Sequence, residues 1–234
     1  MLCAGRVRQH DGDQGIDYAA APCCAMITHL QCAKESARIY TDRTNWAHYW
    51  TFDDVIVGHQ VIDGDDLIAL RGSADTEDWV RDAAAIPEWH HDLGFVHAGF
   101  LAGMDDVFAE CVAGPLGTMD TKLVITGHSL GGARARILAG LFACAGFQVQ
   151  QLTVFGSPKP AFVNLARIIQ KSGMQHTSYR NRNDIVPTLP LTIPPCFDFV
   201  HTEDWTPCDA APADTNLEAL RDHSIDLYVR ALSC

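Results

Sequence analysis

The pentapeptide Gly127-His128-Ser129-Leu130-Gly131 decides the fold of this sequence, because it places a serine between two glycines in a G-x-S-x-G pattern. The apolar run Leu123-Val124-Ile125 precedes it and a helix-forming stretch follows it, which predicts a tight turn between a strand and a helix. The serine backbone in such a turn is strained, and the residues two before and two after it must lack a Cβ atom to avoid collision. We expect the turn to leave the Ser129 Oγ exposed above the sheet and to aim the Leu130 N–H at a developing oxyanion.

Strand and helix patterns alternate along most of the chain. The dipeptide Asp63-Gly64, between two apolar runs, indicates a tight hairpin turn. Strands are predicted at 55–62, 66–70, 122–126, 150–155 and 177–180. Helices are predicted at 19–39, 98–112, 131–145 and 162–171. The alternation predicts an α/β fold with a mostly parallel central sheet and helices on both faces.

The length and composition fit one folded domain. A chain of 234 residues with 47% hydrophobic residues can bury a full core. Residues 1–18 are polar and rich in Gly and Asp, so we expect a loose arm there and a single domain over 19–234. The formal net charge of −12 argues against nucleic acid or an anionic membrane surface as the main partner.

Neither a membrane segment nor a cofactor site is predicted. The longest uncharged stretch, 137–158, contains glycines and glutamines that do not suit a transmembrane helix. The N-terminus has no convincing signal peptide, and the nine cysteines lack a metal-ligand spacing, which favours reduced thiols. The pair His90-His91 has no third ligand at a suitable spacing, so we predict no metal and no cofactor. These features favour a soluble, cytoplasmic protein and leave export open.

Six further segments, in the same order, resemble those of the class 3 lipase family, which has the α/β-hydrolase fold. The resemblance extends over about residues 50–232. The segments are Leu70-Arg71-Gly72-Ser73, Asp78-Trp79-Val80-Arg81-Asp82, Val96-His97-Ala98-Gly99-Phe100, Phe155-Gly156-Ser157-Pro158, Asn183-Asp184-Ile185-Val186-Pro187 and Asp222-His223.

The resemblance implies a catalytic triad of Ser129, Asp184 and His223, in the chain order that this fold uses. It also implies an oxyanion hole formed by the backbone N–H groups of Ser73 and Leu130, with the Ser73 hydroxyl as an additional donor. The D-W-x-x-D run would belong to a flap over the site, at about 74–96.

The residues themselves support the same assignment. A serine hydroxyl needs a positioned base to remove its proton, and imidazole has a suitable pKa. Only His176, His201 and His223 follow the serine, and the first two remain alternatives to His223. Eight acids lie between Ser129 and His223; Asp184 is preferred because it follows a predicted strand and should lie at the carboxyl edge of the sheet. We expect His128 to pack or hydrogen-bond behind the site.

The helix after the serine departs from the family pattern. Arg134 and Arg136 occupy positions where the family mostly has small or apolar residues. Since this helix should pack on the sheet, Arg134 must extend to solvent or find an acidic partner.

The predicted function is that of a serine hydrolase that cleaves carboxylic esters through an acyl-enzyme, as a triacylglycerol lipase or an esterase. An ester or glyceride is the expected substrate, and transient contact with a lipid interface is a further expectation, because the flap mixes apolar and acidic residues. Two alternatives stay open. The chain could be a catalytically idle scaffold used for binding, or an acyltransferase with the same triad.

Overall fold

The computed structural model describes residues 27–73, 86–117, 122–191, 198–209 and 221–233. The predicted arm 1–18 and residues 74–85 of the predicted flap lie outside these ranges. The division into an arm and a single domain therefore stays a prediction.

Seven of the nine strands in the described residues form one central sheet. In chain order the strands are β1 (His48–Phe52), β2 (Val55–Ile62), β3 (Asp65–Leu70), β4 (Pro87–His90), β5 (Gly94–His97), β6 (Leu123–His128), β7 (Val149–Phe155), β8 (Gln175–Asn181) and β9 (Trp205–Cys208). The sheet order is β1-β2-β3-β6-β7-β8-β9, and β4 and β5 form a separate hairpin. Four of the six neighbouring pairs, from β3 to β9, are parallel, which confirms the predicted mostly parallel sheet.

The predicted hairpin between β2 and β3 is present. Ile62 pairs with Asp65, so only Asp63 and Gly64 form the turn. Both have positive φ angles, 53° and 90°, as the tight type I′ hairpin turn requires.

Helices cover both faces of the sheet. They are α1 (His29–Arg38), α2 (Ala98–Leu101), α3 (Met104–Ala113), α4 (Leu130–Cys144), α5 (Val163–Ser172) and α6 (Ile225–Ala231). Ile68 and Leu70 of β3 belong to an apolar cluster with α2, α3, α4 and α5, whereas Leu67 and Ala69 belong to a second cluster with α1 and α6. Because side chains alternate along a strand, these two clusters lie on opposite faces of the sheet.

Several boundaries differ from the sequence predictions. The predicted helix 98–112 is broken into α2 and α3 at Gly103, whose φ of 76° is outside the helical region. The first helix begins at His29, after Thr28, whose side chain accepts a hydrogen bond from the Gln31 N–H as an N-cap. Strands β1, β4, β5 and β9 were not predicted. Among the helices of the described ranges, none is long and apolar enough to cross a membrane.

Both unusual arginines of α4 are buried and have acidic partners. Of the two outcomes left open for Arg134, the structure shows the acidic partner: its Nη2 lies 2.7 Å from the Asp54 Oδ2. Arg136 is fully buried, and its guanidinium donates to the Ser157 Oγ, the Ser178 Oγ and Glu203. Burial lowers the pKa of Arg136 to about 9. The Arg136 guanidinium therefore links α4 by hydrogen bonds to the segment after β7 and to the segment before β9.

Candidate active site

Ser129 lies in the turn between β6 and α4, with φ 59° and ψ −131°. This strained backbone is confined to the single residue that separates strand from helix. A Cβ atom at Gly127 would lie 2.3 Å from the carbonyl oxygen of Gly131, and one at Gly131 would lie 2.2 Å from the Leu70 carbonyl oxygen. The glycine requirement predicted on both sides of the serine is confirmed.

The expectation that the Ser129 Oγ is exposed is wrong. Ser129 is fully buried, and its Oγ has no hydrogen-bond partner among the described residues. The segment after β3 packs directly against it, because a Cβ at Gly72 would lie 3.0 Å from the Ser129 Cβ and 2.7 Å from the His128 carbonyl oxygen. The turn by itself points its serine away from the sheet, but the segment around Gly72 lies against the turn and covers the serine.

Asp184 and His223 are brought together from loops 39 residues apart. The His223 Nδ1–H donates to the Asp184 Oδ2 over 2.7 Å, and the fully buried carboxylate accepts two further bonds. The Tyr228 hydroxyl donates to the same oxygen at 2.5 Å, and the Val186 N–H donates to Oδ1 at 2.9 Å. Three donors thus hold the carboxylate in place and stabilise its charge.

The bond to Asp184 decides which nitrogen of His223 is available. A carboxylate only accepts, so Nδ1 carries the proton and Nε2 keeps its lone pair. That Nε2 is buried and has no hydrogen-bond partner within the described ranges, like the Ser129 Oγ. Buried polar atoms are normally paired, and unpaired ones call for an explanation such as catalysis.

The end of β7 and the glycine that follows it contact both Ser129 and this pair. The Ser129 N–H donates to the Phe155 carbonyl oxygen at 2.9 Å. At the next residue, Gly156, a Cβ would lie 2.7 Å from the Asp184 Oδ2 and 2.9 Å from the His223 Nδ1. A side chain at this position would therefore displace the acid or the base.

His128 supports the backbone of His223, as the predicted packing role implied. Its Nε2–H donates to the His223 carbonyl oxygen at 2.7 Å, and the two rings lie 4.5 Å apart. Burial, and next the neighbouring His223, lower the pKa of His128 well below its usual value, so the ring is neutral. Its Nδ1 therefore accepts from the Tyr40 hydroxyl, at 3.0 Å, and burial raises the pKa of that hydroxyl.

Both predicted oxyanion-hole residues lie close to the serine. Leu130 follows it in the chain, and Ser73 belongs to the segment that packs against it. Leu130 is the first residue of α4, so its N–H belongs to those that helical hydrogen bonding leaves unpaired. Ser73 is half-buried and directly follows Gly72, which packs on the serine. Their role as oxyanion donors stays a prediction.

The alternative histidines lie elsewhere. His176 contacts Glu203, and burial lowers its pKa well below the usual value. The His201 Nε2–H donates to the Pro187 carbonyl oxygen at 2.6 Å, and burial and Arg136 lower its pKa to about 3. Among the described residues, neither ring is hydrogen-bonded to the Asp184 carboxylate, so both make poor bases for Ser129.

Two tyrosines that were not predicted from the sequence hydrogen-bond to residues of the site. Tyr228 lies on α6, five residues after His223, and Tyr40 lies two residues after the end of α1. Nothing in their spacing distinguishes them from core aromatics. The amphipathic pattern of the terminal segment around Tyr228 was the nearest available signal.

The pair His90-His91 has a third potential ligand that spacing did not reveal. Asp92 completes a set of ligand atoms within 4.8 Å of one another, so the expectation of no third ligand is wrong. However, the His90 Nδ1 accepts the Asp92 N–H at 3.2 Å, and its Nε2 lies 3.2 Å from the Asp105 Oδ1. Both nitrogens of His90 are thus engaged, one with the β4–β5 turn and the other with α3, so His90 is not free to ligate a metal ion.

Known proteins resemble this chain in sequence and in fold. A family model described as lipase (class 3) matches residues 67–193. A lipase of Rhizomucor miehei is 32% identical over 163 residues, which are 62% of this chain and 42% of that protein. A secreted mono- and diacylglycerol lipase A of Penicillium cyclopium is 30% identical over 134 residues, 53% of this chain and 43% of that protein. The chain thus spans less than half the length of these curated relatives.

Among solved structures, the native Rhizomucor miehei lipase propeptide complex superposes with a TM-score of 0.65 and 25% sequence identity. The match covers 79% of this chain and 67% of that chain. The α/β-hydrolase fold predicted from the sequence is confirmed.

Proposed function

Since the chain belongs to the class 3 lipase family, we propose that it is a serine hydrolase that cleaves carboxylic esters, with Ser129, His223 and Asp184 as its triad. The observation that carries the proposal is the 2.7 Å hydrogen bond from the His223 Nδ1 to Asp184, which leaves Nε2 available as a base. The unpaired Ser129 Oγ is the matching nucleophile. This is the division of roles that serine hydrolysis requires.

The reaction proceeds through an acyl-enzyme. The Ser129 Oγ attacks the ester carbonyl carbon while its proton passes to the His223 Nε2. The tetrahedral oxyanion accepts hydrogen bonds from the backbone N–H groups of Leu130 and Ser73. Its collapse breaks the C–O bond, and the departing alcohol takes the proton from His223. Water then attacks the acyl group with His223 again as base, releasing the acid and restoring Ser129.

Asp184 makes the base effective in two ways. It keeps the proton on Nδ1, so that Nε2 faces the reaction, and its charge stabilises the imidazolium that forms. The hydrogen bonds from Tyr228 and Val186 hold this carboxylate in its orientation toward His223. The buried setting strengthens each of these interactions relative to water.

Neutral esters, including glycerides, are the proposed substrates. The net charge of −12 disfavours anionic lipid surfaces, and three matched relatives are named mono- and diacylglycerol lipases. We expect wild-type protein to hydrolyse p-nitrophenyl esters of short to long acyl chains, measured by release of p-nitrophenol. The matched control is Ser129→Ala. Equal rates in the two proteins would contradict the enzyme function and favour a binding scaffold, and acyl transfer to an added alcohol exceeding hydrolysis would favour an acyltransferase.

An exposed apolar surface on the β4–β5 hairpin supports transient contact with a lipid interface. Its residues are Ile86, Trp89 and Phe95, which are 59%, 64% and 42% exposed. The Trp89 and Phe95 rings pack edge to face with centroids 5.1 Å apart. The hairpin is fastened beside the loop after β7 by the hydrogen bond from the His97 N–H to the Pro160 carbonyl oxygen, so it lies near the carboxyl edge of the sheet.

We expect Trp89→Ala to weaken adsorption to a neutral glyceride emulsion about tenfold, because burying a large apolar side chain contributes about 1.5 kcal/mol or more. Hydrolysis of a water-soluble ester should stay unchanged. The control is Val61→Ala, since Val61 is 59% exposed at the opposite end of the parallel strands. An unaffected Trp89→Ala protein would contradict interface contact. If the predicted flap covers the site in water, the rate should also rise when a short-chain glyceride passes its solubility limit, and a smooth saturation curve would show that the flap does not gate.

A cytoplasmic location stays a proposal. The four cysteines in the described ranges have free thiols, as a reducing compartment allows: Cys32, Cys111, Cys144 and Cys208. Three of the matched relatives, in contrast, are named as secreted proteins.

A further inference from the structure

Asp222, the residue before His223, connects the loop of the base to the loop of the acid. We propose that Asp222 is a positioning residue that keeps His223 aligned with Asp184, so that the imidazole stays oriented to take the proton of Ser129. This inference rests on the function proposed above. We call the contacts of Asp222 with residues 181–183 the Asp222 clamp.

The Asp222 clamp consists of three contacts between the two loops. The Asn181 side-chain amide donates to the Asp222 carbonyl oxygen at 2.9 Å. The Asn183 backbone N–H donates to the Asp222 Oδ2 at 3.2 Å, and the Arg182 Nη1 lies 4.0 Å from Oδ1. Both the main chain and the side chain of Asp222 are therefore engaged by the segment that directly precedes Asp184.

The acid side of the clamp is a tight and strained turn. The Asp184 N–H donates to the Asn181 carbonyl oxygen at 2.9 Å, which closes the turn around Arg182. Arg182 has a φ of 44°, a conformation that residues other than glycine rarely adopt. Such strain persists only where surrounding contacts fix the backbone, and the Asp222 carboxylate supplies one of them.

The base side is equally constrained. Asp222 and Asn181 are both buried, and a buried carboxylate is costly unless it is paired. The carbonyl of Asp222 is held by Asn181 and the carbonyl of the next residue, His223, is held by His128. Two consecutive carbonyls thus fix the backbone from which the imidazole extends. Loss of either should let the ring shift relative to Ser129.

Asp222 acts through other residues and not on the substrate. Its carboxylate contacts Asn183 and Arg182, whereas the His223 ring bonds to Asp184. Its removal should therefore lower kcat and leave substrate binding almost unchanged. A misplacement of about 1 Å can cost about 10² in rate.

We expect Asp222→Ala to lower kcat about 10- to 100-fold with KM changed less than about twofold. Asp222→Asn keeps an oxygen that can accept the Asn183 N–H, so it should rescue kcat to within about threefold of wild type. The matched control is Asp226→Ala, an exposed aspartate in the first turn of α6, which should leave kcat unchanged. Rates are expressed per active site, titrated with a fluorophosphonate, so that unfolded protein does not contribute.

Equal kcat values for Asp222→Ala and wild type would overturn the inference, as would equal losses in the Asn and Ala variants. If Asp222→Ala does not fold, Asn181→Ala takes its place, because it removes the hydrogen bond to the Asp222 carbonyl oxygen from the other loop. This variant must show the same kcat loss at constant KM. A normal kcat in Asn181→Ala would again overturn the inference. Failure of the proposed function looks different, because the wild-type protein would then hydrolyse no ester.

Discussion

Replacing Ser129 with alanine is expected to lower ester turnover by about 10⁴- to 10⁶-fold, the range for loss of a serine nucleophile. The fold should be almost unaffected. The Ser129 Oγ is buried without a hydrogen-bond partner in the described part of the chain, so the substitution removes a desolvated polar group and breaks no bond. The thermal midpoint should therefore stay equal to or slightly above that of wild type, measured alongside the rate of p-nitrophenyl ester hydrolysis.

A second buried serine, Ser36, is the control, because its loss should lower stability and leave turnover unchanged. The Ser36 Oγ is hydrogen-bonded to the Thr126 Oγ1 at 2.9 Å, away from the site. Ser36→Ala should leave turnover unchanged and lower the free energy of unfolding by about 1 kcal/mol. A fluorophosphonate should label wild type and Ser36→Ala once, at Ser129. Stoichiometric labelling of the Ser129→Ala protein would refute the nucleophile assignment.

The parts of this fold that the sequence predicts are those that depend on local geometry. The strand–turn–helix around Ser129 follows from five consecutive residues, and both glycine positions proved sterically necessary. The hairpin at Asp63-Gly64 is likewise local, since two residues with positive φ determine the pairing of β2 and β3. The structure has Asp184 beside His223, after the strand that the sequence predicted there, whereas its role as the catalytic acid stays a prediction.

The parts that the sequence does not predict depend on contacts between distant segments. Ser129 is buried because the segment around Gly72, more than 50 residues earlier, packs against it. Arg136 appeared to be out of place on a buried helix. Its partners Ser157, Ser178 and Glu203 are 21 to 67 residues away, so no periodicity in the helix indicates them. The edge strand β9 has only four residues and contains Pro207, so its sequence lacks a strand pattern.

Asp184→Asn is expected to lower kcat by about 10² to 10⁴, since the corresponding loss in a serine protease is about 10⁴. The fully buried carboxylate accepts three hydrogen bonds, including the one that keeps the proton on the His223 Nδ1. An amide has one oxygen in place of two and no charge, so it cannot satisfy all three donors or stabilise the imidazolium. An inverted amide would also favour the wrong tautomer of His223, with the proton on Nε2.

Asp198→Asn and Asp204→Asn are the matched controls, because both aspartates are exposed acids between Ser129 and His223. Each should retain near-normal kcat, measured per active site over a range of ester concentrations. The loss in Asp184→Asn should appear in kcat and not in KM, because Asp184 contacts the base and not the ester. The Asp184 assignment is refuted if its variant turns over normally while either control collapses. A loss in all three would instead indicate a general effect of negative charge, which the 2.7 Å hydrogen bond to His223 alone would not explain.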